Sequence, residues 1–204
     1  ACYYFTAHMK QYDLKQKKAE IAKYTQLEPE DLYDGAFDME WCRSVYESLG
    51  EKRFQMLYKA SRFLCENSFH TRARKYADAS LGKKGREAWK KEVVEKRNKD
   101  ALNAYCICPL EGDADLLERY LFVQQFLKES KKFGSQRQAS EKRAAEMALM
   151  NLARNSRFET VARLSWMMES EEVRQNEVVL SPQILMGREG DKDCVEAWIE
   201  IDAQ

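Results

Sequence analysis

The sequence is poor in helix-breaking residues, with 8 glycines and 3 prolines among 204 positions. All-β folds need a turn every few residues and use glycine and proline to make them. The scarcity therefore argues against a sandwich or barrel and points to helices. No apolar run approaches the roughly 20 residues of a membrane-spanning helix, so no membrane partner is expected. A secretory signal is also missing, and a cytoplasmic location is expected. The first residue is Ala rather than Met, which leaves a removed leader or an excised fragment open. The chain has no net charge, with 34 basic and 34 acidic residues, whereas a whole-chain nucleic-acid binder shows a basic excess.

Residues that carry chemistry are scarce as well. The six cysteines are Cys2, Cys42, Cys65, Cys106, Cys108 and Cys194, and Cys106-Ile-Cys108 is the one close pair. Neither C-x-x-C nor a Cys/His zinc spacing occurs, so free, buried thiols in a reducing compartment are expected. The two histidines, His8 and His70, belong to no sequence pattern of the nucleophile kind. "GKKGRE" at 82–87 lacks the spacing of a phosphate loop. No catalytic, metal or cofactor residue is nominated, no cofactor is expected, and an enzyme built wholly from this stretch is not.

What is present is apolar periodicity. Hydrophobic residues make up 44% of the chain and charged residues 33%, enough for a core and a well-solvated surface. One helix is read over 3–24. "QLEPEDLYDG" breaks the chain at 26–35, with Pro29 in a first turn and Gly35 as a stop. Asp38 caps a helix that Gly50 ends, and a second begins at Glu51. Further helices are read over about 69–81 and 85–97, then Ala101–Ile107, with "RNKD" as a break between the last two and Pro109 and Gly112 as a turn. The clearest pair covers 113–132, whose broad apolar face predicts contact on more than one side, and the helix opening at Ser135. A last helix is read over about 157–169.

Seven or eight successive helices with short turns make the fold mainly all-α, as an irregular bundle or a HEAT-like α-solenoid. No motif recurs at the period of about 40 residues that helical repeats show. Beyond Glu169 the character changes. "VVLSPQIL" is β-branched, and "CVEAWIEID" alternates with period two, as a strand does. A lone strand is unstable, so the sequence reads as cut from a longer protein. The expected division is a helical domain over 1–169 and an acidic, β-leaning tail over 170–204.

The charge is unevenly placed. Residues 169–204 carry ten acidic and three basic side chains, and residues 83–99 carry eight basic and three acidic. "KESKKFGSQRQASEKR" at 128–143 carries six basic residues against two Glu: Lys128, Lys131, Lys132, Arg137, Lys142 and Arg143. These six are the candidate contact for an anionic partner. The structural alternative is a helix–helix corner, with lysines at one helix end, Gly134 at positive φ, Phe133 tucked under, and Ser135 as the next cap. The acidic tail beyond Glu169 is a candidate partner inside the chain.

The stretch "LERYLFVQQFLKESKKFGSQRQASEKRAAEMALMNLARNSRFETVARLSWMME" (117–169) resembles a segment of very large bacterial proteins of unknown function. Some of these carry a WGR domain, and some are described as molybdate metabolism regulators. "RARKYADASLGKKG" (72–85) is similar to an upstream stretch of the same family. The resemblance implies a segment within a long helical region followed by further domains, and supplies no catalytic residues. The expected function is thus a non-catalytic scaffold or interaction segment, with other domains of the parent chain or a second protein as partners. A nucleic-acid-binding segment using 83–99 and 128–143 is the alternative. It needs the two basic runs to share a surface and to stay unpaired with acidic residues 28–40 and 169–177. A third reading is the non-catalytic part of an enzyme whose site lies elsewhere in the parent chain.

Overall fold

The computed structural model describes residues 2–9, 18–65 and 68–180. They form ten α-helices: α1 (Cys2–Ala7), α2 (Lys18–Ile21), α3 (Pro29–Asp34), α4 (Met39–Ala60), α5 (His70–Ser80), α6 (Arg86–Lys96), α7 (Lys99–Ile107), α8 (Asp113–Ser130), α9 (Ser135–Asn155) and α10 (Val161–Leu180). A 3-10 turn, Ser61–Phe63, follows α4, and no strand occurs among the described residues.

Most helix ends have the local cause that the residues suggest. Pro29 opens α3, where its missing N–H costs nothing. Gly35 closes it at φ 119°, and a Cβ there would lie 2.9 Å from the Tyr76 hydroxyl, so both backbone and space require glycine. The Asp38 carboxylate accepts from the Trp41 amide at 2.9 Å and starts α4. Gly50, at φ 69°, divides α4 into two halves at the expected place. Arg97 ends α6 in the left-handed region, and the Asn98 side chain caps α7 through the Ala101 amide at 3.0 Å.

Three expectations change. The helix read over 3–24 is not continuous: α1 ends at Ala7, His8 and Met9 turn, and the chain turns again at 22–24 after α2, while 10–17 lie outside the described residues. Tyr4, Phe5, Ala7, His8 and Met9 are all buried, so the chain turns inward instead of keeping one wet face. Ser135 is not a cap. Gly134 precedes α9 at φ −67° in extended conformation, and Gln138 closes the corner by donating to the carbonyls of Phe133 (2.6 Å) and Lys131 (3.3 Å). The last helix runs to Leu180, so the β-branched Val178 and Val179 complete α10. The strand expected over 194–202 lies outside the described residues.

Helix α7 is the hub. Every residue from Ala101 to Cys108 is buried, as suits a helix that is apolar on all sides. It packs on α5, α6 and α9, while α8 covers α9 and α10 lies along α8 and α9. Small residues at Ala144, Ala145 and Ala148 let α9 approach closely. The contact of α3 with α9 spans more than a hundred positions: the Phe37 amide, just beyond α3, donates to Asn151 Oδ1 at 2.8 Å. A solenoid repeat touches only its neighbours, so the arrangement is an irregular bundle. Asn151 also donates to Gly35 O (3.0 Å) and Asn103 Oδ1 (2.8 Å), leaving no part of its amide unmatched.

Candidate functional site

Arginines tie the helix ends together. Arg119, fully buried, donates to the carbonyls of Tyr105 (2.9 Å), Cys108 (2.7 Å) and Pro109 (2.9 Å) and to both oxygens of Asp115 (2.8 and 2.6 Å). All five guanidinium N–H groups are used, three of them on orphan carbonyls at the end of α7. Arg72 does the same for two helices, donating to His8 O, Tyr33 O and Leu32 O just past α1 and at the end of α3. The negative ends of those helices face its charge.

The six cations of 128–143 divide by residue type. Arg137 lies over the Phe133 ring at 3.7 Å and donates to Glu141 at 2.9 Å. Arg143 donates to Asp34 at 2.8 Å and to Asp31 at 3.3 Å, reaching back to α3. Lys128, Lys131, Lys132 and Lys142 are exposed and have no ion-pair partner among the described residues. The chain does turn between two helices here, but without the expected positive φ at Gly134 or cap at Ser135, and Phe133 is half-buried under the guanidinium groups of Arg97 and Arg137.

The two basic runs meet at Glu141. This buried carboxylate takes Arg97 (2.8 Å) from the first run and Arg137 (2.9 Å) from the second. Burial pushes its carboxyl up, but the two guanidinium groups outweigh that and hold it below the usual range. Arg97 also reaches Glu129 (2.7 Å) and Phe126 O (3.0 Å). Elsewhere in the first run, Lys84 pairs with Glu92, Lys90 with Glu118, and Arg86 with Asp115 and Glu118. A cleft of about 510 Å³ beside this junction is lined by Asp34, Arg72, Arg97, Lys99, Ser140 and Arg143. Its three arginines already serve carboxylates or carbonyls, and Lys99 donates to Ser140 at 2.6 Å.

Two features escaped sequence reasoning. The first is the outer face of α10. Leu164 and Met168 are buried toward α8 and α9, and Tyr120 donates to Glu169 at 3.0 Å. On other sides of the helix Trp166 is 70% exposed, Met167 55% and Val173 56%. Trp166 and Val173, seven apart, share one face. The second is a pairing of Cys65 with His70, whose Sγ and Nδ1 atoms are 3.7 Å apart. A five-residue separation across a turn is no recognised motif, so only the fold reveals it. The other described thiols are buried, and burial pushes Cys106 up to about 12 and Cys108 to about 11. His8 is a core histidine: burial lowers it to about 4, its Nδ1 donates to Tyr4 O (2.8 Å), and its Nε2 accepts from the Asp38 amide. No cluster of three or more metal-ligating side chains exists among the described residues. No helix of the described residues is long and apolar enough to cross a membrane.

These features define a helical domain in which Arg72 and Arg119 join helix ends, while the lysines of the α8–α9 corner and part of α10 face outward. The chain belongs to DUF5724, a family of unknown function, whose model matches residues 1–168. No curated protein and no solved structure matches it.

Proposed function

We propose that this domain is a non-catalytic helical interaction module within a larger bacterial protein. The resemblance to WGR-bearing proteins and molybdate metabolism regulators supports a regulatory setting. The observation that carries the reading is the outward face of α10, where Trp166 and Val173 stand in water, with Met167 exposed beside them. Exposed aromatic and aliphatic anchors on a rigid helix are the kind of group that dominates protein interfaces. The partner is another domain of the parent chain or a second protein. The free thiols of Cys42, Cys65, Cys106 and Cys108 suit the reducing cytoplasm. The test places a photo-cross-linking phenylalanine at position 166 or 173 of the full-length parent protein in cells. Cross-links to one defined segment of the parent, or to one co-purifying protein, are expected. Irradiation that yields none from either position would overturn the reading.

A second reading has its own observation: the four exposed lysines without ion pairs at the α8–α9 corner. They are free to meet phosphates, while Arg137 is held by Glu141 and Arg143 by Asp31 and Asp34 of 28–40, a pairing that counts against this reading. A salt titration against labelled mixed-sequence DNA and RNA decides it, because phosphate contacts release counterions. Salt-sensitive binding that is lost in K128E/K131E/K132E/K142E supports nucleic acid as the partner. No binding at low salt removes that reading.

A further inference from the structure

Four thiols are described, and their surroundings differ. Cys42, Cys106 and Cys108 are buried, whereas Cys65 is partly exposed beyond the 3-10 turn after α4. Its Sγ lies 3.7 Å from Nδ1 of His70, the first residue of α5. Turns brace both sides of the pair: the Leu64 amide donates to Ser61 O at 3.1 Å, and the Thr71 amide donates to Ser68 O at 2.9 Å. One turn further along α5, the Arg74 guanidinium lies against Ser61 and the carbonyls of Tyr58 and Lys59. An imidazole within reach and partial exposure together favour a nucleophilic cysteine.

We infer that Cys65 is an imidazole-assisted thiol that exchanges with low-molecular-weight disulfides, with His70 as the proton acceptor. Neutral His70, with Nδ1 unprotonated, takes the proton from Sγ. The thiolate attacks one sulfur of the disulfide, forming a bond to it while the original S–S bond breaks. The departing thiolate takes the proton from His70, so one small thiol leaves for each adduct formed. The disulfide is the oxidant, and no other is needed. The adduct stands beside Phe63 and Leu64, which are 75% and 51% exposed, and changes the surface at the end of α4. The inference is independent of the role given to α10.

The experiment treats the folded, reduced chain with glutathione disulfide at pH 7 and follows each cysteine by peptide mass spectrometry. Cys65 is expected to react at least about tenfold faster than Cys42, Cys106 and Cys108, and faster in the folded chain than in the same chain in urea. H70Q is expected to slow Cys65 by about tenfold at an unchanged thermal midpoint. Reaction no faster in the folded chain than in urea would overturn the inference, as would a folded H70Q chain that reacts like the parent. Should H70Q fail to fold, the urea comparison decides alone.

Discussion

The corner between α7 and α8 and the corner between α8 and α9 are both short, polar and supplied with cations. At the first, Arg119 is buried and bonded to three carbonyls and a buried carboxylate, and Asn155 adds bonds to Cys106 O (2.9 Å) and Cys108 O (2.6 Å). At the second, Lys131 and Lys132 face water, and a neutral side chain, Gln138, holds the turn. The difference follows from the head groups. A guanidinium is a flat fork of five donors and is weakly hydrated, so it can be buried against several acceptors at once. An ammonium is a strongly hydrated point charge that keeps its water. Charge that looks alike along the chain is therefore architecture at one corner and free surface at the other.

The strongest way to break this comparison is to remove Arg119. R119A leaves three buried carbonyls without that donor and takes from Asp115 its bidentate partner. Breaking one side of a buried pair costs about 3–5 kcal/mol. The equivalent change at the other corner, R137A, touches a side chain that is half exposed, and is expected to cost about 0–1 kcal/mol. Urea unfolding of the two variants side by side measures the gap. Equal losses would show that the two corners do not differ in kind.

Acid sharpens the comparison once His8 is accounted for. Burial lowers His8 to about 4 from its ordinary 6.5, so the folded chain holds it neutral while the unfolded chain protonates it below pH 6.5. Its contribution is complete above pH 6.5 and is lost as pH falls toward 4, amounting to about 3 kcal/mol. At Asp115, burial pushes the carboxyl up, but Arg119, the Glu111 amide and Arg86 outweigh it and hold the group below its usual range. Stability from Asp115 is present above the unfolded carboxyl value of about 4 and is lost only below it. H8Q keeps a donor and an acceptor in place of the ring. Its stability should be flat from pH 6.5 to about 4.5 and fall below that. A persisting slope above pH 4.5 in H8Q would mean that another group carries this limb.

Much of this architecture was legible from local chemistry. Pro29, Gly35, Asp38 and Gly50 mark ends that their own backbone needs explain, and the broad apolar face of α8 announced a helix covered on more than one side. The six cations of 128–143 were legible as a group. Which of them were already taken was not, because Arg143 finds Asp34 and Asp31 across more than a hundred positions. Ser135 suggested a cap on residue type alone, but α9 starts without a side-chain cap, and Gln138 braces the corner from the other side by donating to the carbonyls of Lys131 and Phe133. The Cys65–His70 pair depends on how a turn folds back, and no period or spacing encodes that. The run through 170–180 was read as tail because it is acidic and leads into the β-branched Val178 and Val179. Bonds from Arg174 and Gln175 to Glu171 support the helix along its length.

The smallest expected effect is the most discriminating. K128Q/K131Q/K132Q/K142Q removes four charges but no ion pair among the described residues. Two minor contributions oppose each other. Lys128 lies in the last turn of α8, where a cation complements the helix dipole by about 0.3–1 kcal/mol. Lys131 and Lys132 are adjacent like charges, and neutralising them relieves repulsion that salt already screens. The net change in unfolding free energy is expected within about 0.5 kcal/mol, as for surface substitutions generally. It should shrink further in high salt, since both contributions are electrostatic and exposed. A loss above about 1 kcal/mol would mean that the lysines hold the corner as the arginines hold theirs. The free surface offered to an anionic partner would then not exist. A loss within the expected range leaves four cations kept in water at no structural gain, and a binding partner becomes the reason to look for.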